Sequence, residues 1–264
     1  MKKKPLLKKK ARKEIEDIIV NTFEQKAKKY SPESDYSPFL DALIGKKERQ
    51  TYSFYISVAT TLGMSVNEQI AVVLANSYGK KAVKQYKIPY SITEETDNQI
   101  SQLHRKIVKK EINADKIEHA KLIKSFAKPS SGNNIDEDKT VDLFIDFKDG
   151  TLAFIDITSP KPNIKEFKEL KRKLLRWTAI GYANYKNAKN IEAILAMPYN
   201  PYYPQDYSRF SGNDFIDFKN HEARVQSDFW NWIAGEDIFD DLLSIFVDKG
   251  KAIQKLINQK FIKT

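Results

Sequence analysis

The sequence contains no cysteine, and this absence excludes more than any other feature of its composition. Without thiols the chain can form no disulfide, no thiolate zinc site and no cysteine nucleophile. We expect a protein of a reducing compartment, the cytoplasm. No apolar run approaches the ~18 residues that span a bilayer, so neither a membrane segment nor a signal peptide is expected.

Motifs for nucleotide and zinc chemistry are also missing. Gly45-Lys46 lacks the upstream glycine and the following Ser or Thr of a phosphate-binding loop, so we expect no nucleotide cofactor. The three histidines are scattered, and His221-Glu222 is not followed by the second histidine of a zinc-protease helix. The pattern favours surface or hydrogen-bonded histidines.

Acidic residues are absent from the first 13 positions, where eight of the basic residues lie. Subtracting these eight charges from the total of +10 leaves +2, an ordinary balance for a soluble protein. We predict that residues 1–13 form a basic flexible tail. Such a tail either condenses on DNA phosphates or is simply a solvated terminus, and composition favours neither.

The remaining residues, 14–264, are predicted to form a single domain, because 41% hydrophobic and 12% aromatic residues suffice for a core. Its first part, 14–129, has mainly helical spacing. Helices are predicted over 13–29 and 66–78, with broken helices over 92–126. Ser65 and Glu68 match the S-x-x-E capping pattern at the start of the second helix, and Gly79 follows its end.

The second part, 130–264, changes from helical spacing to the alternation of strands. Strands are predicted over 141–147 and 151–158, then a helix over 165–186 and a strand over 191–197. This order predicts an α/β fold with a mixed sheet flanked by helices. The C-terminal region is predicted to be helical, with Gly235 and Gly250 at helix ends.

The first two strands bring two carboxylates together if the turn between them has three residues. With Gly150 in the left-handed conformation, Phe147 faces Thr151 and Asp142 lies opposite Asp156. Their Cβ atoms are then roughly 5 Å apart, which allows both to share a divalent ion. A two-residue turn would instead put them on opposite faces of the sheet.

Two aspartates are also common at solvated strand ends, so the pair is weak evidence by itself. The segment that follows is more specific, because Pro160 and Pro162 end the strand and keep the chain extended around Lys161. This arrangement places a lysine close to Asp156.

At this point the sequence resembles the TdeIII-type restriction enzymes of the PD-(D/E)xK nuclease superfamily. The strings S-P-K-P-N at 159–163 and P-Y-N-P-Y at 198–202 carry most of the resemblance. Further matching segments are residues 61–71, 141–144, 155–158, 171–177 and 229–236. The resemblance implies a restriction-endonuclease-like core and cleavage of double-stranded DNA that leaves a 5′-phosphate.

It also implies roles for individual residues. Asp142 corresponds to the first metal ligand and Asp156 to the acidic residue of the (D/E)xK motif, but Thr158 stands where the family has lysine. Either Lys161 takes over, or catalysis is impaired. Lys173 on the next helix is a second candidate for the missing lysine.

The implied cofactor is Mg2+, held by Asp142, Asp156 and the backbone carbonyl of Ile157. Nucleases of this class often bring a helical glutamate to the metal, and Glu68 is the candidate here. The competing interpretation of Glu68 is the capping box with Ser65.

Reading a DNA sequence requires side chains in the grooves. Asn200, in a loop after a strand, is a candidate for a base contact, and Arg209 is a second one. The tyrosines of the same loop are expected to pack against the sheet. An enzyme that cuts both strands of a palindrome is expected to be a homodimer, and the resemblance favours short GC-rich sites such as GGNCC.

Two alternatives remain open. One is a repair or transposition nuclease with the same hairpin, and the other is a DNA-binding protein that has lost catalysis through Thr158.

Overall fold

The computed structural model describes residues 6–31, 36–131, 138–208 and 210–261. Arg209 lies outside these residues, as do residues 1–5 of the predicted tail. The helices are α1 (Lys9–Lys29), α2 (Pro38–Ile44), α3 (Lys46–Thr61), α4 (Asn67–Ser77), α5 (Glu94–Val108), α6 (Lys116–Phe126), α7 (Ile164–Asn184), α8 (Phe210–Asn213), α9 (Ser227–Ala234) and α10 (Phe239–Phe261). A π-helical turn, Leu62–Val66, joins α3 to α4.

Five strands form one mixed sheet in the order β1-β4-β5-β6-β7, and β2 pairs with β3 in a separate ladder. β4 is antiparallel to both of its neighbours, β1 and β5, whereas β5, β6 and β7 run parallel to one another. The strands are β1 (Lys81–Lys87), β2 (Ser91–Ile92), β3 (Pro129–Ser130), β4 (Thr140–Asp146), β5 (Thr151–Ile157), β6 (Asn190–Met197) and β7 (Ala223–Val225). The predicted α/β class and mixed sheet are therefore confirmed.

Helices cover both faces of the sheet because alternate residues of the strands are apolar on each side. On one face, Leu143 and Ile155 pack with the buried sides of α1, α4, α9 and α10. On the other face, Phe154 and Leu195 pack with α5, α6 and α7. None of the helices in the described part of the chain is long and apolar enough to cross a membrane.

The helical part of the chain also contributes a strand, which the spacing did not predict. β1 pairs with β4 at the edge of the sheet, so the sheet is not confined to residues 130–264. Only Ala82 of this strand is buried, and Lys81, Lys84 and Lys87 are exposed. An edge strand with so many lysines lacks the apolar alternation by which strands are predicted.

Two predicted ends also differ. Helix α1 begins at Lys9, inside the segment predicted to be a tail, because Leu7 and Ala11 pack into the same core as Ile15. Gly235 does end α9 in the left-handed conformation, but Gly250 lies within α10. Gly250 has a negative φ, so it does not adopt the left-handed conformation with which a glycine ends a helix.

Candidate active site

The β4–β5 hairpin has the three-residue turn on which the carboxylate pair depends. Gly150 has φ +96°, and the Phe147 amide donates to the Thr151 carbonyl at 3.0 Å. Leu143 pairs with Ile155 and Phe144 with Phe154. The predicted register is therefore confirmed, and the next residues along the two strands are Asp142 and Asp156.

The side chain of Asp142 makes the last hydrogen bond between β4 and β5. Its Oδ2 accepts a hydrogen bond from the Ile157 amide at 2.8 Å, in place of a backbone carbonyl. Burial raises the pKa of Asp142, and the charge of Asp156 raises it further. A buried carboxylate beside a second carboxylate is a receptive site for a cation.

Glu68 extends from α4 towards this pair, and its environment argues against the capping interpretation. Ser65 lies inside the π-helical turn, α4 has no side-chain cap, and the Ser65 hydroxyl accepts from Gln69 instead. The chain is helical on both sides of Ser65, so there is no free helix end to cap. The predicted capping box is wrong.

The Glu68 carboxylate is almost fully buried, with 4% of the residue exposed. Burial and the charge of Asp142 raise the pKa of Glu68 to about 7. A buried carboxyl group close to a second one is stabilised chiefly by a bound cation or by a proton.

Gln85 connects these acids and was not foreseen from the sequence. Its Nε2 donates to Glu68 Oε1 at 2.9 Å and lies 3.4 Å from Asp142 Oδ1. Its backbone has φ +49°, and the regular pairing of β1 with β4 skips it. A glutamine in this conformation is strained, and a single polar residue on an edge strand gives no pattern from which to predict it.

Lys173 supplies the ammonium group of the site. Its Nζ lies 3.0 Å from Asp156 Oδ2. Burial acts to lower the pKa of Lys173, but Asp156 and Asp142 outweigh it, and the pKa is raised. The lysine is therefore held in its charged form beside the carboxylate pair.

The residue at which α7 begins determines the position of Lys173 along the helix. Asn163 and Glu166 form a reciprocal capping box, with hydrogen bonds of 3.0 and 2.7 Å. The cap sets where the helix begins after the two prolines, and Lys173 then follows on the face that meets β5.

Lys161, the first candidate for the missing lysine, and Thr158, the position that lacks it, make other contacts. Lys161 is exposed, with its Nζ 5.7 Å from the centre of the Tyr202 ring. Thr158 is half-buried, and its amide continues the pairing with β6 by donating to the Ala196 carbonyl. The structure thus brings Asp142, Asp156, Glu68 and Lys173 together, but not Lys161.

The donor atoms fit a hard divalent cation. Within residues 6–31, 36–131, 138–208 and 210–261, no three acidic or histidine side chains converge closely enough to hold a metal by themselves. Mg2+ does not need such a cage, because it keeps several waters and is commonly bound by one or two carboxylates. Asp142, Asp156 and the Ile157 carbonyl are oxygen donors of this kind.

The loop after β6 uses Asn200 for its own folding. Asn200 Oδ1 accepts from the Tyr202 amide at 2.9 Å, and Nδ2 donates to the Gln205 carbonyl at 2.7 Å. Tyr202 is half-buried and packs on Tyr207, as expected for the tyrosines of this loop. For Tyr199 and Tyr203 the expectation was wrong, because both rings are exposed. The exposed rings are the part of this loop that a ligand could contact.

Comparison with known proteins places this geometry in context. The family model described as type II restriction endonuclease, HinfI, matches residues 7–250. Type II restriction enzyme HgiCII of Herpetosiphon aurantiacus is 27% identical over 234 residues, covering 88% of this chain and 84% of its own. Type II restriction enzyme HgiEI of the same organism is 26% identical with the same coverage. No solved structure matches the chain significantly.

Proposed function

Because this chain belongs to the family of the type II restriction endonuclease HinfI, we propose that it cuts double-stranded DNA at the Asp142–Asp156 pair with the help of Lys173. The chain is a site-specific restriction endonuclease by its family. What we add is the location of the active site, its cofactor and the role of each residue.

The observation that carries this proposal is the 3.0 Å contact between Lys173 Nζ and Asp156 Oδ2, next to Asp142. A lysine held beside two aspartates combines ligands for a metal ion with a cation that can orient water and offset charge on a phosphate. It also supports an active enzyme despite Thr158, because the ammonium group comes from another element.

In the reaction we propose, Asp142, Asp156 and the Ile157 carbonyl would hold Mg2+, and the ion would supply Lewis acidity towards the attacking water and the phosphate. Lys173 donates a hydrogen bond to the attacking water and offsets charge on the phosphate in the transition state. Water attacks phosphorus in line with the 3′ oxygen, and the P–O3′ bond breaks. The products carry a 5′-phosphate and a 3′-hydroxyl.

Glu68 completes the acidic side of the site. Its pKa near 7 lets it hold a proton when no cation is present and release it when a cation binds nearby. We propose that Glu68 would help to orient the ligands of Mg2+ from the α4 side of the site, with Gln85 holding its carboxylate in place.

This site also supports the finer assignment to the PD-(D/E)xK superfamily, with Lys173 in place of the motif lysine. The strings at 159–163 and 198–202 remain the basis for the likeness to TdeIII-type enzymes. We propose a short palindromic target that is rich in GC, such as GGNCC, read by a homodimer in the cytoplasm. In this proposal Asn200 shapes the loop that faces DNA, and a base contact would require its amide to leave Gln205.

The test is cleavage of a plasmid of known sequence by purified protein, with and without Mg2+. The wild type should give discrete fragments whose ends map to one short sequence, and Asp156→Ala and Lys173→Ala should lose at least about 100-fold in rate. Lys161→Ala is the matched control, since this exposed lysine should keep nearly full activity.

Each of the competing outcomes has its own signature. A smear of fragments would favour a repair or transposition nuclease over a restriction enzyme. Intact plasmid with the wild type, together with DNA binding, would favour a protein that has lost catalysis. Loss of activity in Lys161→Ala but not in Lys173→Ala would overturn the lysine assignment.

A further inference from the structure

A large part of the exposed apolar surface is concentrated on two successive helices, α2 and α3. Among the described residues, these helices carry several large side chains with 44 to 86% of their surface exposed. Phe39 is exposed to 86% and Leu43 to 80%. We call this surface the α2–α3 patch, and it consists of Phe39, Leu43, Ile44, Tyr52, Tyr55 and Ile56.

These helices have little core of their own. No residue of α2 is buried, and in α3 only Arg49 and Phe54 are. Phe54 packs on Tyr30 at the end of α1, and Arg49 pairs with Asp41. Helices of 7 and 16 residues gain most of their stability from packing, so an apolar face left in water is poorly explained by the single chain.

The size of the patch matches one side of a stable protein interface. Its six side chains expose roughly 700 Å² together, if an aromatic side chain counts for about 200 Å². Two such surfaces facing each other would bury roughly 1,400 Å², which lies in the range of standard specific interfaces. Isolated exposed apolar residues are ordinary, but six on two successive helices, with pairs spaced three or four residues apart within a helix, are not.

The same surface offers both an anchor and a receptor. A groove of about 780 Å³ lies beside it, lined by Tyr30, Leu40, Tyr52 and Ile56 among others. Phe39 stands outside the groove lining and is the most exposed large apolar residue of the described chain. The rest of the groove lining is mostly serine, threonine, lysine and arginine, so its apolar part is the side formed by Leu40, Tyr52 and Ile56. A projecting aromatic ring next to such a groove is self-complementary across a two-fold axis, where each ring can pack on the apolar side of the other copy's groove.

The absence of charge on the patch residues indicates what kind of molecule binds there. The six residues of the patch carry no charge and cannot themselves bind phosphates, which favours a protein surface as the occupant, and the basic residues nearby, Lys26, Lys29 and Arg49, line the neighbouring groove. Symmetric cleavage of a palindrome, which is our proposed function, needs two copies of the active site. We therefore propose, resting on that function, that the α2–α3 patch is the two-fold interface between two copies of this chain.

The first experiment measures the mass of the full-length protein in solution as a function of concentration. The wild type should be a dimer at micromolar concentration, and Phe39→Glu with Leu43→Glu should raise the dimer dissociation constant at least about 100-fold, since like charges would face each other. The fold should remain intact, because neither residue is buried, and circular dichroism checks this.

The matched control is Leu243→Glu with Val247→Glu on α10, where both residues are about half exposed. This variant should dimerise like the wild type. A monomeric wild type would overturn the proposal, as would a dimer that the α10 variant dissociates and the α2 variant does not. Binding of a different protein at the patch in a monomeric wild type would assign the surface to that partner.

The absence of cysteine allows a second test that does not depend on a drastic substitution. Leu43→Cys introduces a single thiol, whose labelling rate should fall as protein concentration rises through the dimer dissociation constant. Leu243→Cys should label at one rate throughout. Equal concentration dependence at both positions, or none at Leu43→Cys in a dimeric sample, would contradict the interface.

These measurements separate the interface from the function. A dimer through α2 and α3 that does not cut DNA would keep the interface and remove the proposed function. A monomer that cuts DNA at one sequence would do the reverse.

Discussion

A lysine ammonium can act on a carboxylate pair from any backbone position that brings its nitrogen into hydrogen-bond distance, because its flexible stem spans roughly 6 Å. Lys173 does so from helix α7, whereas the (D/E)xK pattern would take the lysine from the strand itself. Thr158, two residues after Asp156, is the strand position concerned. The chemistry is tied to the position of a nitrogen atom and not to one place in the sequence.

This freedom of position leads to a prediction about Thr158. Lys173→Ala should lose at least about 100-fold in cleavage rate, and Thr158→Lys in the same background should recover at least about tenfold of it. The half-exposed Thr158 leaves room for a longer side chain. Single-turnover cleavage of a plasmid measures both.

Serine at position 158 in the same background is the control, because it offers a hydroxyl but no charge. Recovery with serine as well would mean that charge is not what Lys173 supplies. No recovery with lysine would mean that its placement on α7 is indispensable.

Gln85 provides a second prediction at the level of single residues. Its amide holds Glu68 at 2.9 Å, and residues that orient the groups around a metal commonly contribute 10- to 100-fold in metal affinity or activity. Gln85→Ala should therefore raise the Mg2+ concentration for half-maximal cleavage by about tenfold. The measurement is a Mg2+ titration of the cleavage rate.

Lys81→Ala on the same edge strand is the matched control for this titration, since Lys81 is exposed and pairs with Asp146, at the end of β4 that lies away from Asp142. An unchanged Mg2+ requirement in Gln85→Ala would reduce Gln85 to a structural residue of the strand.

Helices and strands were predicted best where the apolar pattern and the residues of the turn indicate the same structure. In the β4–β5 hairpin, buried Leu143 and Ile155 and the positive φ of Gly150 determine the register, so the carboxylate pair followed from counting. β1 gave no such pattern, because it is stabilised by backbone pairing with β4. The interpretation of Glu68 failed because a capping motif is read locally, while the π-helical turn continues a helix that starts at Lys46.

A buried ion pair joins α7 to Glu222, the residue that precedes β7. Lys171 is fully buried, and its Nζ donates to Glu222 Oε1 at 2.5 Å. His119 of α6 is packed beside them, and burial together with the charge of Lys171 lowers the pKa of His119 to about 4. The ion pair thus links α7 to the segment before β7, and the neutral His119 of α6 lies near both charges.

His119 predicts how stability depends on pH. In the unfolded chain a histidine takes up its proton near pH 6.5, whereas folded His119 stays neutral down to about pH 4. The unfolded state therefore binds more protons within this window, and stability falls as the pH decreases from 6.5 to 4. The loss from this residue is at most about 3 kcal/mol, since one pKa unit corresponds to about 1.4 kcal/mol.

Urea denaturation of the metal-free protein between pH 4 and 8 measures this effect. His119→Gln should flatten the decline below pH 6.5, because glutamine does not titrate. His221→Gln is the control, since His221 is an exposed histidine, and it should leave the decline as in the wild type. An equally steep decline in His119→Gln would assign the acid sensitivity to other groups.

For the whole molecule, the distribution of charge matters more than its sum. Eight of the basic residues lie in the first 13 positions, but the structure divides this segment. The amides of Leu6 and Leu7 donate to Asp241, and α1 starts at Lys9 with its basic residues on a packed helix. Lys2, Lys3 and Lys4 precede the described residues and are the part of the segment whose contribution to DNA binding can be changed without touching α1.

We predict that these three lysines act on DNA through counterion release alone. Each lysine that neutralises a phosphate contributes about 0.9 to the slope of log affinity against log salt concentration. Replacing Lys2, Lys3 and Lys4 by glutamine should therefore reduce the slope by up to about 3 and weaken specific and non-specific DNA equally. The cleavage rate at saturating DNA should not change, because Asp142, Asp156 and Lys173 are untouched. The slope is measured by DNA-binding titrations at several salt concentrations, with Ca2+ in place of Mg2+. Arginine at the same three positions is the control that preserves the charge. A slope that stays at the wild-type value in the glutamine variant would mean that the terminus does not contact phosphates, and a loss confined to the specific sequence would mean that it reads bases.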